Sequence, residues 1–350
     1  MKALNNHYVI ILYYMGSLID YAKLVRPYGL LFLGLTPFFG AVCNGENSST
    51  RLFLLVLTGF LIHVFTFVQN DYFDLEVDKK SAYVSDRPLV TGKIKKETAL
   101  YIVIFSFILS IIINTLFMFT LISFIMLLVS FFLITLYNMY SKRVACMEYI
   151  LAIGVFTTGL FGAYSASNEV SGLAIIISLV NMMQWVFSVG VFANLKDVKY
   201  DTKIGVMTIP TLFGVKVIDD EFSIPFLFVG YAFFIKTLHI LVAFLPFLLM
   251  YTEIFVFDMP IPFLVFIFLS TVILYLLAKI FSTPLSQRDR MLVYEGLQEG
   301  LSLLLIPMVL MSYLFKNIGI AQTLLIITVI IIWPLSSLRI VFGKKLIPLE

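Results

Sequence analysis

Ten stretches of about 20 apolar residues recur along this chain, and that repetition constrains its fold more than any other feature. A helix that crosses the hydrocarbon of a bilayer needs roughly 20 such residues. Backbone polar groups in lipid must be satisfied within the segment, so spans of this kind are helices. The stretches fall at 27–44, 52–70, 98–118, 120–140, 147–166, 172–194, 224–250, 259–281, 299–315 and 318–340. Only Lys316 and Asn317 separate the last two. Charged residues make up 13% of the chain, well below the roughly one quarter of soluble domains. The predicted fold is all-α: a polytopic transmembrane helical bundle of nine to ten spans, forming one membrane-embedded domain over 1–350. Residues 1–26 read as a cytosolic or interfacial lead-in. Tyr8–Met15 is apolar but short, and Asp20, Lys23 and Arg26 follow it without a small-residue cleavage site.

Lysine and arginine set the orientation, because cytoplasmic loops carry an excess of both. Lys79, Lys80, Arg87, Lys93, Lys95 and Lys96 follow span 2, and Lys142 and Arg143 follow span 4. Lys196, Lys199, Lys203 and Lys216 follow span 6, and Arg288 and Arg290 follow span 8. The opposite loops hold only Arg51 and Lys316. Even-numbered loops and both termini therefore face the cytosol of a multi-pass cell-membrane protein, with Lys344 and Lys345 on that side. The lipid bilayer is the first partner. The net charge of +3 is small, no Lys/Arg block points to nucleic acid, and no obligate protein partner is indicated. Cys43 and Cys146 fall on opposite faces, which disfavours a disulfide.

Two acidic clusters interrupt this apolar chain. Asn70-Asp71-Tyr72-Phe73-Asp74-Leu75-Glu76-Val77-Asp78 ends span 2, and Asp197-Val198-Lys199-Tyr200-Asp201 ends span 6. Both belong to the cytosolic face. Asp71, Asp74 and Asp78, spaced i, i+3 and i+7, share one face of a helix, with Asn70 beside them, and Asp197 and Asp201 are i and i+4. Glu76 lies off that face and reads as solvated. Carboxylates at a membrane edge are costly, and five converging ones repel one another without counter-ions. A hard cation sharing its shell with phosphate offsets that repulsion.

The two clusters resemble those of the UbiA-type intramembrane prenyltransferases. Arg87-Pro88-Leu89-Val90-x-Gly92 is similar to the family's Arg-Pro-x-x-x-Gly segment, and Gly205-x-x-Thr208-x-Pro210 to its Gly-x-x-Thr-x-Pro segment. The resemblance runs from Lys23 to about span 9. It implies Mg²⁺-dependent transfer of a prenyl group from a polyprenyl diphosphate donor to a hydrophobic acceptor, with diphosphate released. The implied Mg²⁺ ligands and catalytic residues are Asp71, Asp74, Asp78, Asp197 and Asp201. The family usually has nine helices, so 318–350 reads as an extra C-terminal helix or one of the spans is misplaced.

Further residues are expected at the same site. Asn70 is placed to hydrogen-bond a phosphate or a metal-bound water. Arg87, Lys142, Arg143 and Lys203 are diphosphate contacts or part of the topogenic charge. Arg26, before Pro27, is a further cation facing the site. Tyr137 and Tyr200 stabilise a carbocation or belong to the interfacial aromatic belt. His63 lines the cavity or packs structurally. Lys236 and His239 share a face of span 7, as an acceptor pocket or with Lys236 snorkelling. Gln184 and Asn194 are suited to interhelical hydrogen bonds. The acceptor reads as an aromatic quinone precursor or similar. Archaeal ether-lipid synthesis on a glycerol phosphate lipid is the alternative, and a cation-coupled transporter is the alternative of another class. A transporter would carry carboxylates near the midplane of broken helices, whereas these lie at span ends.

Overall fold

The computed structural model describes residues 18–80, 84–219 and 221–343. Tyr8–Met15 of the lead-in, Lys344, Lys345 and the end of the C-terminal segment lie outside the described residues. Ten helices among those described are long and apolar enough to cross a membrane. They are α1 (Leu18–Cys43), α2 (Ser49–Asp78), α3 (Lys96–Phe117), α4 (Leu121–Tyr140) and α5 (Met147–Ala166), then α6 (Gly172–Lys203), α7 (Phe226–Leu248), α8 (Ile261–Ser282), α9 (Leu285–Val309) and α10 (Ile320–Phe342). The all-α polytopic bundle is the fold the apolar stretches require. A two-stranded antiparallel hairpin, β1 (Lys216–Ile218) with β2 (Glu221–Ser223), links α6 to α7.

Consecutive helices pack as neighbours, notably α2 on α3, α4 on α5, α5 on α6 and α8 on α9. α1 and α6 form the centre: 72% of the apolar window in each is buried, against 17% in α10. α10 packs on α9 and on the Pro27–Gly29 turn of α1, where Trp333 Nε1 donates to Pro27 O at 2.6 Å. The tenth helix thus closes the bundle from its lipid-facing side.

Three boundaries differ from the hydropathy reading. Residues 18–25 are helical, and α1 breaks at Arg26, before Pro27, instead of beginning there. The seventh runs as one helix over Phe226–Leu248, within the 224–250 stretch. The ninth spans Leu285–Val309, not 299–315, and a short helix, Met311–Asn317, fills the rest. Its first turns are polar, so hydropathy excludes them, yet their polar groups have partners inside the bundle. Gln298 is fully buried and donates to Ser302 Oγ at 3.2 Å. Arg288, expected in a loop, reaches Asp197 at 3.8 Å.

Candidate active site

α2 carries Asn70, Asp71, Asp74 and Asp78 on its last turns. Carboxylates there face the negative end of the helix dipole, so their counter-charges must come from elsewhere. Arg26 Nη2 donates to Asp71 Oδ1 at 2.7 Å. Arg87 Nη1 bridges Asp71 Oδ1 at 3.2 Å and Asp78 Oδ2 at 2.7 Å. Asn70 Nδ2 donates to Asp74 Oδ2 at 3.2 Å. The break in α1 delivers Arg26. Its φ of 55° is left-handed, which costs a residue with a Cβ about 1–2 kcal/mol. His63 Nε2, donating to Val25 O (3.0 Å) and Arg26 O (3.2 Å), ties that break to α2. The Arg26 guanidinium also lies over the Phe67 ring, 5.2 Å from its centroid. His63 is therefore a structural histidine.

The second cluster is positioned by an irregularity in α6. Ser188–Ala193 form a π-helical turn before the helix resumes at Asn194. Such turns occur frequently at functional sites. The helix stops at Gly205, whose φ of 74°, like that of Gly92 at 72°, suits glycine. Thr208 then opens the short helix Ile209–Leu212 with a reciprocal capping box to Thr211. The matched Gly, Thr and Pro residues thus end one helix and start the next.

Asp201 is fully buried, and neither of its carboxylate oxygens accepts a hydrogen bond. Lys142 Nζ stands 3.7 Å from it. Burial pulls the Lys142 ammonium down, but Asp201, Asp74, Asp197 and Asp78 together hold it above the ordinary lysine value. One cation therefore feels both clusters. The helix ends are also tied directly: Tyr200 Oη donates to Val77 O at 2.9 Å.

Between them lies a cavity of about 160 Å³. Its polar wall holds Arg26, Asn70, Asp74, Asp78, Arg87, Lys142, Asp197, Tyr200 and Asp201, and its apolar side holds Phe67, Tyr137, Leu151, Trp185 and Val189. Asp71 stands behind this wall, locked by its two arginines. Arg143 and Lys203 are exposed and outside the lining, as their topogenic role alone requires, and Glu76 is exposed and paired with Lys79. Lys236 does not snorkel. It is fully buried, and Nζ donates to Gln184 Oε1 at 2.7 Å, because neighbouring helices supply a partner closer than the interface.

The lining also includes Lys196 and Thr208, read in the sequence only as a loop cation and as part of a matched segment, and Glu148, which sequence reasoning did not select. Glu148 sits in the first turn of α5, where an acidic residue reads as a helix-end charge. Arg288 was hidden by its place in an apparent loop.

The buried, unbonded oxygens of Asp201 are a fitting partner for a divalent cation, as is an all-carboxylate and amide donor set. Among the described residues, no three carboxylates converge into a ready-made cation shell. Mg²⁺ needs none, since it is commonly bound by one or two carboxylates together with substrate phosphates and water.

The model of the UbiA prenyltransferase family matches residues 30–294. The 4-hydroxybenzoate octaprenyltransferase of Francisella tularensis subsp. novicida (strain U112) is 32% identical over 199 residues, 56% of this chain and 68% of that one. The digeranylgeranylglyceryl phosphate synthase of Pyrococcus horikoshii is 24% identical over 201 residues, 56% of this chain and 69% of that one. Among solved structures, a UbiA homolog from Aeropyrum pernix K1 superposes with a TM-score of 0.62 at 13% identity, covering 83% of this chain and 98% of that one. A UbiA homolog from Archaeoglobus fulgidus bound to GPP and Mg²⁺ superposes with a TM-score of 0.56 at 20% identity, covering 82% and 99%. α10 lies beyond the matched residues.

Proposed function

The chain belongs to the UbiA prenyltransferase family, integral membrane enzymes that transfer prenyl groups, and from that premise we propose that it joins a polyprenyl diphosphate to a lipid-soluble aromatic acceptor, such as a quinone precursor, with release of diphosphate. The observation that carries this reading is Lys142, set between two carboxylate clusters in one cavity, with the oxygens of Asp201 left free of hydrogen bonds. The transporter alternative falls with family membership.

Asp74, Asp78, Asp197 and Asp201, which line the cavity, are the residues to hold Mg²⁺, while Asp71, expected as a fifth ligand, is held behind them by Arg26 and Arg87 and fixes the helix end. When bound, the metal supplies Lewis-acid stabilisation of the departing diphosphate. The complex of the Archaeoglobus fulgidus homolog with GPP and Mg²⁺ supports Mg²⁺ as the ion that accompanies a prenyl diphosphate. Asn70, Arg87 and Lys142 bind diphosphate from the polar wall. Arg87 already makes charge-assisted bonds to Asp71 and Asp78 through Nη1, and its planar guanidinium is suited to phosphate. The side formed by Phe67, Tyr137, Leu151, Trp185 and Val189 takes the allylic end of the donor and excludes water from it. The cavity faces the cytosol by the Lys/Arg bias of the loops beside it.

The aromatic acceptor is favoured by the higher identity to the 4-hydroxybenzoate enzyme than to the glycerol phosphate lipid enzyme. Membranes containing the protein are expected to release diphosphate from geranyl diphosphate only with Mg²⁺, and to prenylate 4-hydroxybenzoate in preference to a glycerol phosphate lipid. Mg²⁺-independent release, or the reverse acceptor preference, would refute the corresponding part. Cysteines at Lys95 and Ser286 should label from the cytosolic side and one at Asn47 from the other. Labelling of Ser286 with Asn47 would overturn the orientation.

A further inference from the structure

Glu148 is the one carboxylate of the cavity that belongs to neither acidic cluster. It is 5% exposed. Its Oε1 accepts a hydrogen bond from Asn194 Nδ2. Its Oε2 is buried and accepts none. The backbone has been shaped to admit this group. The π-helical turn Ser188–Ala193 ends one residue before Asn194, so the widened turn presents the amide that orients the carboxylate. Gly190, within that turn, stands where a Cβ would lie 3.7 Å from Glu148 Cβ and 3.0 Å from Ile209 Cδ1. A side chain there would crowd Ile209 and come into contact with the acid's own side chain. The charged groups that act on it are Lys142 and Asp201, and Tyr137 and Tyr231 lie within its field, with Tyr149 Oη hydrogen-bonded to Tyr231 Oη at 2.7 Å.

An oriented carboxylate with one free oxygen in a partly apolar cavity has the form of a general base. Resting on the prenyl-transfer reading, we infer that Glu148 accepts the hydroxyl proton of a phenolic acceptor. The steps balance as follows. Glu148 Oε2 takes the proton, and the oxygen electron pair flows into the ring. A ring carbon bonds to C1 of the prenyl group as the C1–O bond breaks, its electron pair leaving on diphosphate. The dienone so formed returns to a phenol by tautomerisation, with no net change in protons. One proton remains on Glu148 and leaves through the cavity mouth. The acceptor class is thus a neutral phenol whose hydroxyl does not ionise unaided at neutral pH.

The test uses the full-length protein in vesicles, geranyl diphosphate with Mg²⁺, and para-substituted phenols of graded acidity, including 4-hydroxybenzoate. General base catalysis contributes about 10²–10⁴-fold. Glu148→Gln is expected to lower kcat for neutral phenols by about that factor while leaving the donor KM within about twofold. For phenols already ionised at the assay pH the loss should shrink below about tenfold, because their proton is gone. Glu148→Asp, which keeps a carboxylate, should fall between. A loss of equal size for every phenol, or one accompanied by a raised donor KM, would overturn the inference and make Glu148 a structural cap of the π-turn. Should Glu148→Gln fail to fold, the same acidity series on Glu148→Asp decides: a loss that does not depend on phenol acidity rejects the base. Absence of Mg²⁺-dependent diphosphate release in the unaltered protein would instead reject the prenyl-transfer reading, and this inference with it.

Discussion

The carboxylates of α2 and those of α6 face one cavity but are held in opposite ways. Asp71 and Asp78 are clamped by Arg26 and Arg87 at 2.7–3.2 Å. Asp201 has no hydrogen bond and Asp197 only a distant arginine, at 3.8 Å. Two aspartates of the first cluster are held by close charge-assisted hydrogen bonds. The second cluster has its cations, Lys142 and Arg288, only at 3.7 and 3.8 Å, which leaves the carboxylate oxygens of Asp201 open to a ligand. A site that binds a metal–diphosphate pair gains from this division, since one side is rigid before binding and the other supplies the attraction.

The largest expected effect removes a carboxylate from either side. Asp74→Ala and Asp197→Ala should each abolish turnover while the protein remains folded in the membrane. Near-wild-type transfer by either variant at limiting Mg²⁺ would break the two-sided site.

Stability should then separate the two clusters. Asp71→Asn takes a counter-charge from the buried Arg26, while Arg87 keeps Asp78, and breaking a buried pair costs about 3–5 kcal/mol. Asp201→Asn removes a carboxylate that accepts no hydrogen bond, and its counter-ion Lys142 keeps the field of Asp74 and Asp197, so the metal-free protein should lose less stability than with Asp71→Asn in a chemical or thermal unfolding series. Equal destabilisation by the two changes would contradict the contrast.

Arg87→Ala comes next. A hydrogen bond to a charged group contributes about 1.5–3 kcal/mol, so kcat/KM for the donor should fall roughly ten- to a hundred-fold. Arg87→Lys should recover only part, because a point charge replaces a planar fork. An unchanged kcat/KM in the Ala variant would confine Arg87 to clamping α2.

The smallest effect is expected for Tyr200→Phe, which removes the one hydrogen bond from the end of α6 to Val77 O. A bond of that kind is worth about 0.5–1.5 kcal/mol. The donor KM should rise a few-fold with kcat little changed. A loss comparable to Asp197→Ala would mean that Tyr200 takes a direct part in the chemistry.

Much of this was legible in the residues. Asp74, Asp78, Asp197 and Asp201 at helical spacing placed themselves on two helix ends, and the loop cations put those ends at one face. Glu148 and Arg288 were not legible, because each looks like an ordinary helix-end or loop charge until the chain is folded. Arg143 and Lys203 show the converse: they sit in the right segments but point away from the cavity.

The sequence by itself determined a helical membrane bundle and its family, because apolar length and acidic spacing are local properties of the chain. The tertiary structure alone decided which charges meet. Arg26 reaches Asp71 only because α1 breaks before Pro27, and His63 holds that break. Lys142 stands between the clusters, and Glu148 enters the cavity, only because α5 and the π-turn of α6 pack together. Encounters between residues far apart in the chain depend on helix packing and on local breaks in the helices, and neither leaves a periodic signal in the sequence.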